Sequence, residues 1–123
     1  MQGPPHIFVV EDDPDARAAL VVLITDAGYA VSTAGDGQQA LDLLMHGYRP
    51  KLMIVDLMLP NVSGSEFLHY IQTDAELRLI PRIVVTAMPE GTVRVVADVI
   101  LYKPCDFDRL LETIRRLVPL EPS

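Results

Sequence analysis

IFVVEDDP, residues 7–14, is the stretch on which the reading of this chain turns. Ile7–Val10 is an apolar run of strand length, suited to a strand buried on both faces. Three acids follow, Glu11, Asp12 and Asp13, and then Pro14. Proline at a first helical position forfeits no hydrogen bond, so Asp13 reads as the N-cap of a helix opening at Pro14. Leu20, Leu23, Ile24 and Ala27 mark the buried stripe of that helix, and Gly28 ends it. A buried strand running through an acidic turn into a helix is half of a βαβ unit.

The same alternation recurs along the chain. Tyr29–Thr33, Leu52–Val55, Ile83–Val85 and Val99–Tyr102 read as further strands. Asp36 with Gln39, and Ser63 with Glu66, are capping-box patterns opening a second and a third helix. Gly47 closes the second, and Phe67, Leu68 and Ile71 look inward from the third. A last helix is expected from near Asp106, with Phe107, Leu110, Leu111, Ile114 and Leu117 on a 3.6-residue period. Repeated βα pairs predict an α/β fold with a parallel sheet. MPEGTVRVVAD, residues 88–98, fits least well. Pro89, Gly91 and stiff valines in a link of near-minimal length predict a short or irregular fourth helix. One domain is expected over 6–118, with flexible ends at 1–5 and 119–123.

Composition narrows the function. Half of the 123 residues are hydrophobic, enough for one real core. The net charge of −7 disfavours direct nucleic-acid binding and suits cations and protein partners. A single cysteine, Cys105, excludes an internal disulfide and suits a reducing cytoplasm. No apolar segment reaches the length of a membrane span, and MQGPPH lacks the basic region of a signal peptide. No membrane insertion is expected.

In an open α/β sheet, the carboxyl ends of the strands share one edge, where ligands bind. Glu11 and Asp12 after the first strand, Asp56 after the third, Thr86 after the fourth and Lys103 after the fifth should therefore converge. Adjacent carboxylates repel one another, and a hard cation relieves that repulsion. Mg²⁺ uses one or two carboxylates plus phosphate oxygens, so Glu11 and Asp12 are assigned to metal and Asp13 to capping. Asp56, at a strand tip, is placed to act as a nucleophile toward phosphorus. Lys103 would anchor a phosphoryl oxygen and pair with Asp56 in its absence, and Thr86 would offer a hydroxyl. Pro104 raises the option of a cis bond that aims the lysine. Each residue alone has an ordinary explanation, as a turn acid, a strand threonine or a solvated lysine; together they supply what phosphoryl transfer requires.

With FVVEDD at 8–13, IVDLMLPNVSG at 54–64, VVTA at 84–87 and YKP at 102–104, the chain resembles the receiver domain of two-component response regulators from about His6 to Val118. The resemblance implies a doubly wound, flavodoxin-like (βα)₅ three-layer sandwich with strand order 2-1-3-4-5. It implies that Asp56 takes a phosphoryl group from the phosphohistidine of a sensor histidine kinase or phosphotransfer protein. Mg²⁺ would be held by Asp12, Asp56 and the main-chain carbonyl of Met58, with Glu11 acting through water. Thr86 and Lys103 would engage the phosphoryl group and shift the face formed by the fourth helix, fifth strand and last helix. Such a domain is not a turnover enzyme: it catalyses only its own phosphorylation and dephosphorylation. Output is expected through a downstream effector protein or a separate output domain, and a phosphorylation-dependent homodimer is compatible with the family.

Three departures stand out. Ile100 occupies the place of a usual aromatic, with Tyr102 two residues on along the same face. The interval from Thr86 to Lys103 is short, and Cys105 follows Lys-Pro where the family commonly has phenylalanine. Other readings predict different residues. A haloacid-type phosphatase would carry an acid at the position of Met58. A flavodoxin-like cofactor binder would carry Gly, Ser or Thr in place of Glu11, Asp12 and Asp13. The remaining alternative, an unphosphorylated pseudo-receiver acting as a protein-interaction module, would have lost part of the site, and all of it is here.

Overall fold

The computed structural model describes residues 3–121. Chain order is β1 (His6–Val10), α1 (Pro14–Asp26), β2 (Ala30–Ala34), α2 (Gly37–Met45), β3 (Leu52–Val55) and α3 (Gly64–Thr73). A 3₁₀ turn at Leu77–Leu79 leads into β4 (Arg82–Thr86), followed directly by β5 (Val99–Tyr102) and α4 (Phe107–Leu117). The five strands form one parallel sheet in the order β2-β1-β3-β4-β5, as expected. The expected ends at 1–2 and 122–123 lie outside the described residues. Residues 3–5 and 119–121 have no regular structure, yet the Pro5 carbonyl accepts from Ala30 N–H at 3.0 Å.

Alternation along the strands sorts the core into two layers. Phe8, Val10, Met53, Val55 and Val84 face α2 and α3, while Ile7, Val9, Leu52, Ile54, Ile83 and Leu101 face α1 and α4. Because both layers are covered, the central strands read as continuous apolar runs. The Tyr29 hydroxyl donates to the Val118 carbonyl at 2.7 Å, tying the start of β2 to the end of α4.

The helices begin where their caps dictate. Asp13 accepts from Asp15 N–H at 3.1 Å ahead of Pro14, and Ser63 with Glu66 forms a complete capping box. At α2 the box is only half made. Asp36 accepts from Gln39 N–H, but the Gln39 side chain accepts from Gly35 N–H instead of the cap residue. The inward residues of α3 are buried as expected, as are Leu110 and Ile114 of α4. Phe107 is a correction: it is 48% exposed. It is the first residue of α4, one turn short of where that helix meets the sheet.

The link between β4 and β5 is the larger correction. It is irregular, but no helix forms there, short or otherwise, among the described residues. Over 93–97 burial alternates instead: Val93, Val95 and Ala97 pack on the α3 side of the core while Arg94 and Val96 face out. A two-residue period is that of an extended chain. Three β-branched residues on the segment favour that conformation over a helix, in which their χ1 freedom is most restricted. An extended strap, anchored by Asp98, whose N–H donates to the Arg82 carbonyl and whose carboxylate accepts from Arg82 N–H, thus covers the sheet where a helix was expected.

Candidate phosphorylation site

Sheet register brings the predicted residues together. Val10 pairs with Val55, so Glu11 and Asp56, the next residues on each strand, emerge side by side. Thr86 lies opposite Tyr102, the residue before Lys103. The Lys103–Pro104 bond is cis, and the ammonium points back across the rim. Lys103 Nζ donates to Asp56 Oδ2 at 2.8 Å and to Glu11 Oε1 at 3.1 Å. The pairing with Asp56 was expected from sequence; the second bond, to Glu11, was not.

Glu11 and Asp56 are both buried, at 4% and 7% exposure, whereas Asp12 is exposed. Oxygens from these three carboxylates all lie within 4.8 Å of one another. Burial pushes the Glu11 carboxyl above its ordinary pKa, Lys103 opposes the shift and the Asp56 charge adds to it. For Lys103, burial acts to lower the pKa, but the hydrogen bonds and charges of Asp56 and Glu11 outweigh it and leave the ammonium above its ordinary value. One ammonium thus faces two buried carboxylates with a third nearby. Such an excess of hard oxygen donors fits Mg²⁺, which would be held by Asp12 and Asp56, with Glu11 in support.

Backbone N–H groups fix the Asp56 and Thr86 side chains in the same way. Met58 N–H donates to Asp56 Oδ1 at 2.9 Å, and Met88 N–H donates to Thr86 Oγ1 at 3.1 Å. Each is a turn in which a side chain bonds the backbone two residues on. Thr86 is fully buried. Sequence reasoning passed over Arg17, whose guanidinium donates to the main-chain carbonyl of Glu11 at 2.9 Å and more weakly to that of Asp12 at 3.5 Å, bracing the acidic turn. Its position, one turn into a helix capped by Asp13, was the available signal.

The loop after Asp56 is held by close backbone packing. A Cβ on Gly64 would stand 2.3 Å from the Asp56 carbonyl oxygen and 2.4 Å from Leu57 Cα. Gly64→Ala is therefore expected to displace the Asp56 loop and to cost about 2–4 kcal/mol in urea unfolding, with slower phosphorylation as a second readout.

The sequence matches the model of the response regulator receiver domain over residues 7–115. This chain belongs to the receiver domain family. A polar-differentiation response regulator, DivK of Brucella anthropi, is 35% identical to this receiver domain, covering 91% of this chain and 94% of its own. Response regulator Rre1 of Synechocystis is 32% identical over 96% of this chain, which spans only 53% of Rre1's length. Among solved structures, the receiver domain of a signal transduction histidine kinase from Syntrophus aciditrophicus superposes with a TM-score of 0.86 at 26% identity, covering 97% of this chain and 96% of its own. Response regulator TrrA of Thermotoga maritima, solved in complex with Mg²⁺-BeF, gives 0.82 at 29% identity, covering 93% of this chain and 99% of its own. Among the described residues, no helix is long and apolar enough to cross a membrane.

Proposed function

We propose that this receiver domain is a phosphorelay acceptor in which Asp56 takes a phosphoryl group from the phosphohistidine of a sensor histidine kinase or phosphotransfer protein. The observation that carries this reading is the Lys103 ammonium bridging Asp56 and Glu11 beside an acidic cluster. An Asp56 carboxylate oxygen attacks phosphorus, the N–P bond breaks, and its electron pair returns to the imidazole nitrogen. Bound at Asp12, Asp56 and the Met58 carbonyl, with Glu11 acting through water, Mg²⁺ would supply charge neutralisation for the phosphoryl oxygens. Met58 N–H holds one Asp56 oxygen and leaves the other facing Lys103. Lys103, already at the rim, follows the charge onto the product, and Thr86 offers its hydroxyl once it releases the Met88 N–H.

In this reading the domain turns over no external substrate in the cytoplasm. It passes its state to a downstream effector protein or an attached output domain, and dimerisation on phosphorylation is one form such output takes. Incubating the protein with acetyl phosphate and Mg²⁺ and weighing the product tests it. One added phosphoryl group, absent when EDTA is present, is the expected result; an unchanged mass overturns the proposal. Met58, 60% exposed, brings a thioether that neither orients nor activates water. The phosphorylated state should therefore be long-lived, and Met58→Asn is expected to hasten its hydrolysis roughly tenfold, followed by loss of the phosphorylated mass with time.

A further inference from the structure

Beneath the acidic rim, between α1 and α4, lies a cavity of about 320 Å³, at the small end of the range for small-molecule sites. Leu20 from α1, Leu110 from α4, and Ile54 and Val85 from the sheet make its walls apolar. Its volume survives because the residue turning into α4 is Cys105, a small half-buried side chain. The neighbouring Phe107, nearly half exposed, edges the space without filling it.

The mouth has a definite charge. Glu11 and Asp56 open onto it, both more than nine-tenths buried, and Asp13 stands beside them. Among the described residues, Lys103 is the only cation lining the cavity, and its ammonium is shared between Glu11 and Asp56. Arg17 does not line the cavity, and its guanidinium is turned to main-chain carbonyls. Without metal, three carboxylates against one ammonium disfavour a free anion, and the apolar chamber behind them disfavours a fully polar cation. A molecule with a compact hydrocarbon body and one ammonium group matches both parts.

We infer that this cavity binds a small hydrophobic primary amine, with its body between α1 and α4 and its ammonium hydrogen-bonded to Glu11 or Asp56. The inference goes beyond the acceptor function but shares Glu11 and Asp56 with it, so amine and Mg²⁺ would compete and the titration is run without metal; phosphorylation by acetyl phosphate with Mg²⁺ and without amine reads that function separately. The test is a titration of the full chain with 2-phenylethylamine, followed by ¹⁵N-resolved NMR, with 2-phenylethanol as the uncharged control. Saturable shifts centred on α1, the Cys105 turn and the start of α4 are expected, with the alcohol at least about tenfold weaker. Cys105→Phe, which fills the chamber, should abolish them, and Ala16→Leu, narrowing it from α1, should weaken them if the first variant fails to fold. No saturation by about 10 mM amine, equal binding of the alcohol, or undiminished binding in a folded cavity-filled variant would each overturn the inference.

Discussion

Asp56→Asn is expected to abolish phosphate incorporation from acetyl phosphate while leaving the fold intact. An amide is almost isosteric with the carboxylate, and its oxygen still accepts the Met58 N–H that now bonds Asp56 Oδ1. What disappears is the negative charge that makes the group a nucleophile, so the rate should fall by at least about a thousandfold. The amide also cannot satisfy Lys103 as the Asp56 Oδ2 does, so the ammonium should shift toward Glu11, its other partner. Mg²⁺ affinity should drop as well, because one of three clustered carboxylates has lost its charge. Intact mass measures the first effect, circular dichroism the fold, and calorimetric titration the metal. A variant that still gains one phosphoryl group would place the acceptor elsewhere and end the proposed reading.

Lys103→Met separates two roles that Asp56→Asn combines. Methionine keeps much of the lysine stem and removes the charge, so Glu11 and Asp56 are left buried without their cation. Breaking a fully buried pair costs about 3–5 kcal/mol, but the lysine side chain is about one-third exposed and solvent takes up part of the loss, so about 1–3 kcal/mol is expected here. The pH dependence has a definite sign. The Glu11 pKa is already raised by burial, so its contribution favours the fold below the ordinary value of 4.5 and is lost as pH rises through the raised one. Without Lys103 that pKa rises further, and the deficit of the variant should be small at acid pH and grow toward neutrality. The Lys103 contribution in the unaltered protein is full at neutral pH and lost only as pH rises through its own raised value, above 10.5. Phosphorylation should fall about a hundredfold with the loss of this electrostatic partner. Mg²⁺ should bind more tightly, since its competitor for the carboxylates has gone. Weaker metal binding together with slower phosphorylation would instead mark a collapsed site.

The layers and the rim were legible in the sequence because each rests on a local rule. Ile7–Val10 and Leu52–Val55 could be read as double-sided strands from unbroken apolarity alone. Asp13 with Pro14 and Ser63 with Glu66 located helix starts from short-range hydrogen bonding that needs no tertiary context. Convergence on one edge then follows from topology, which places Glu11, Asp56, Thr86 and Lys103 together. The bond from Lys103 to Glu11 was not readable, because it depends on where a flexible stem settles once two carboxylates emerge side by side. The half-made box at Asp36 was missed for a similar reason: Gln39 had two neighbouring N–H groups to choose between. Residues 88–98 misled more seriously. Pro89, Gly91 and the stiff valines argue against a good helix, but the fold pattern demands something in that place and so predicts a short or irregular one. The alternating burial over 93–97 that marks an extended chain is not written in residue type, since Val95, Val96 and Ala97 are all apolar.

That strap has a consequence for how the protein meets solvent. A helix would shield its amides within its own turns, yet among the described residues no backbone hydrogen bond joins 93–97 to the rest. Their side chains nevertheless alternate into the core. Deuterium should therefore enter Val93–Ala97 within moments of dilution into heavy water, while the amides of β4, paired on both sides, stay protonated. Mass analysis of peptides spanning 82–98 would show a fast patch beside a slow strand, a built-in gauge of anything that later seals this side of the molecule.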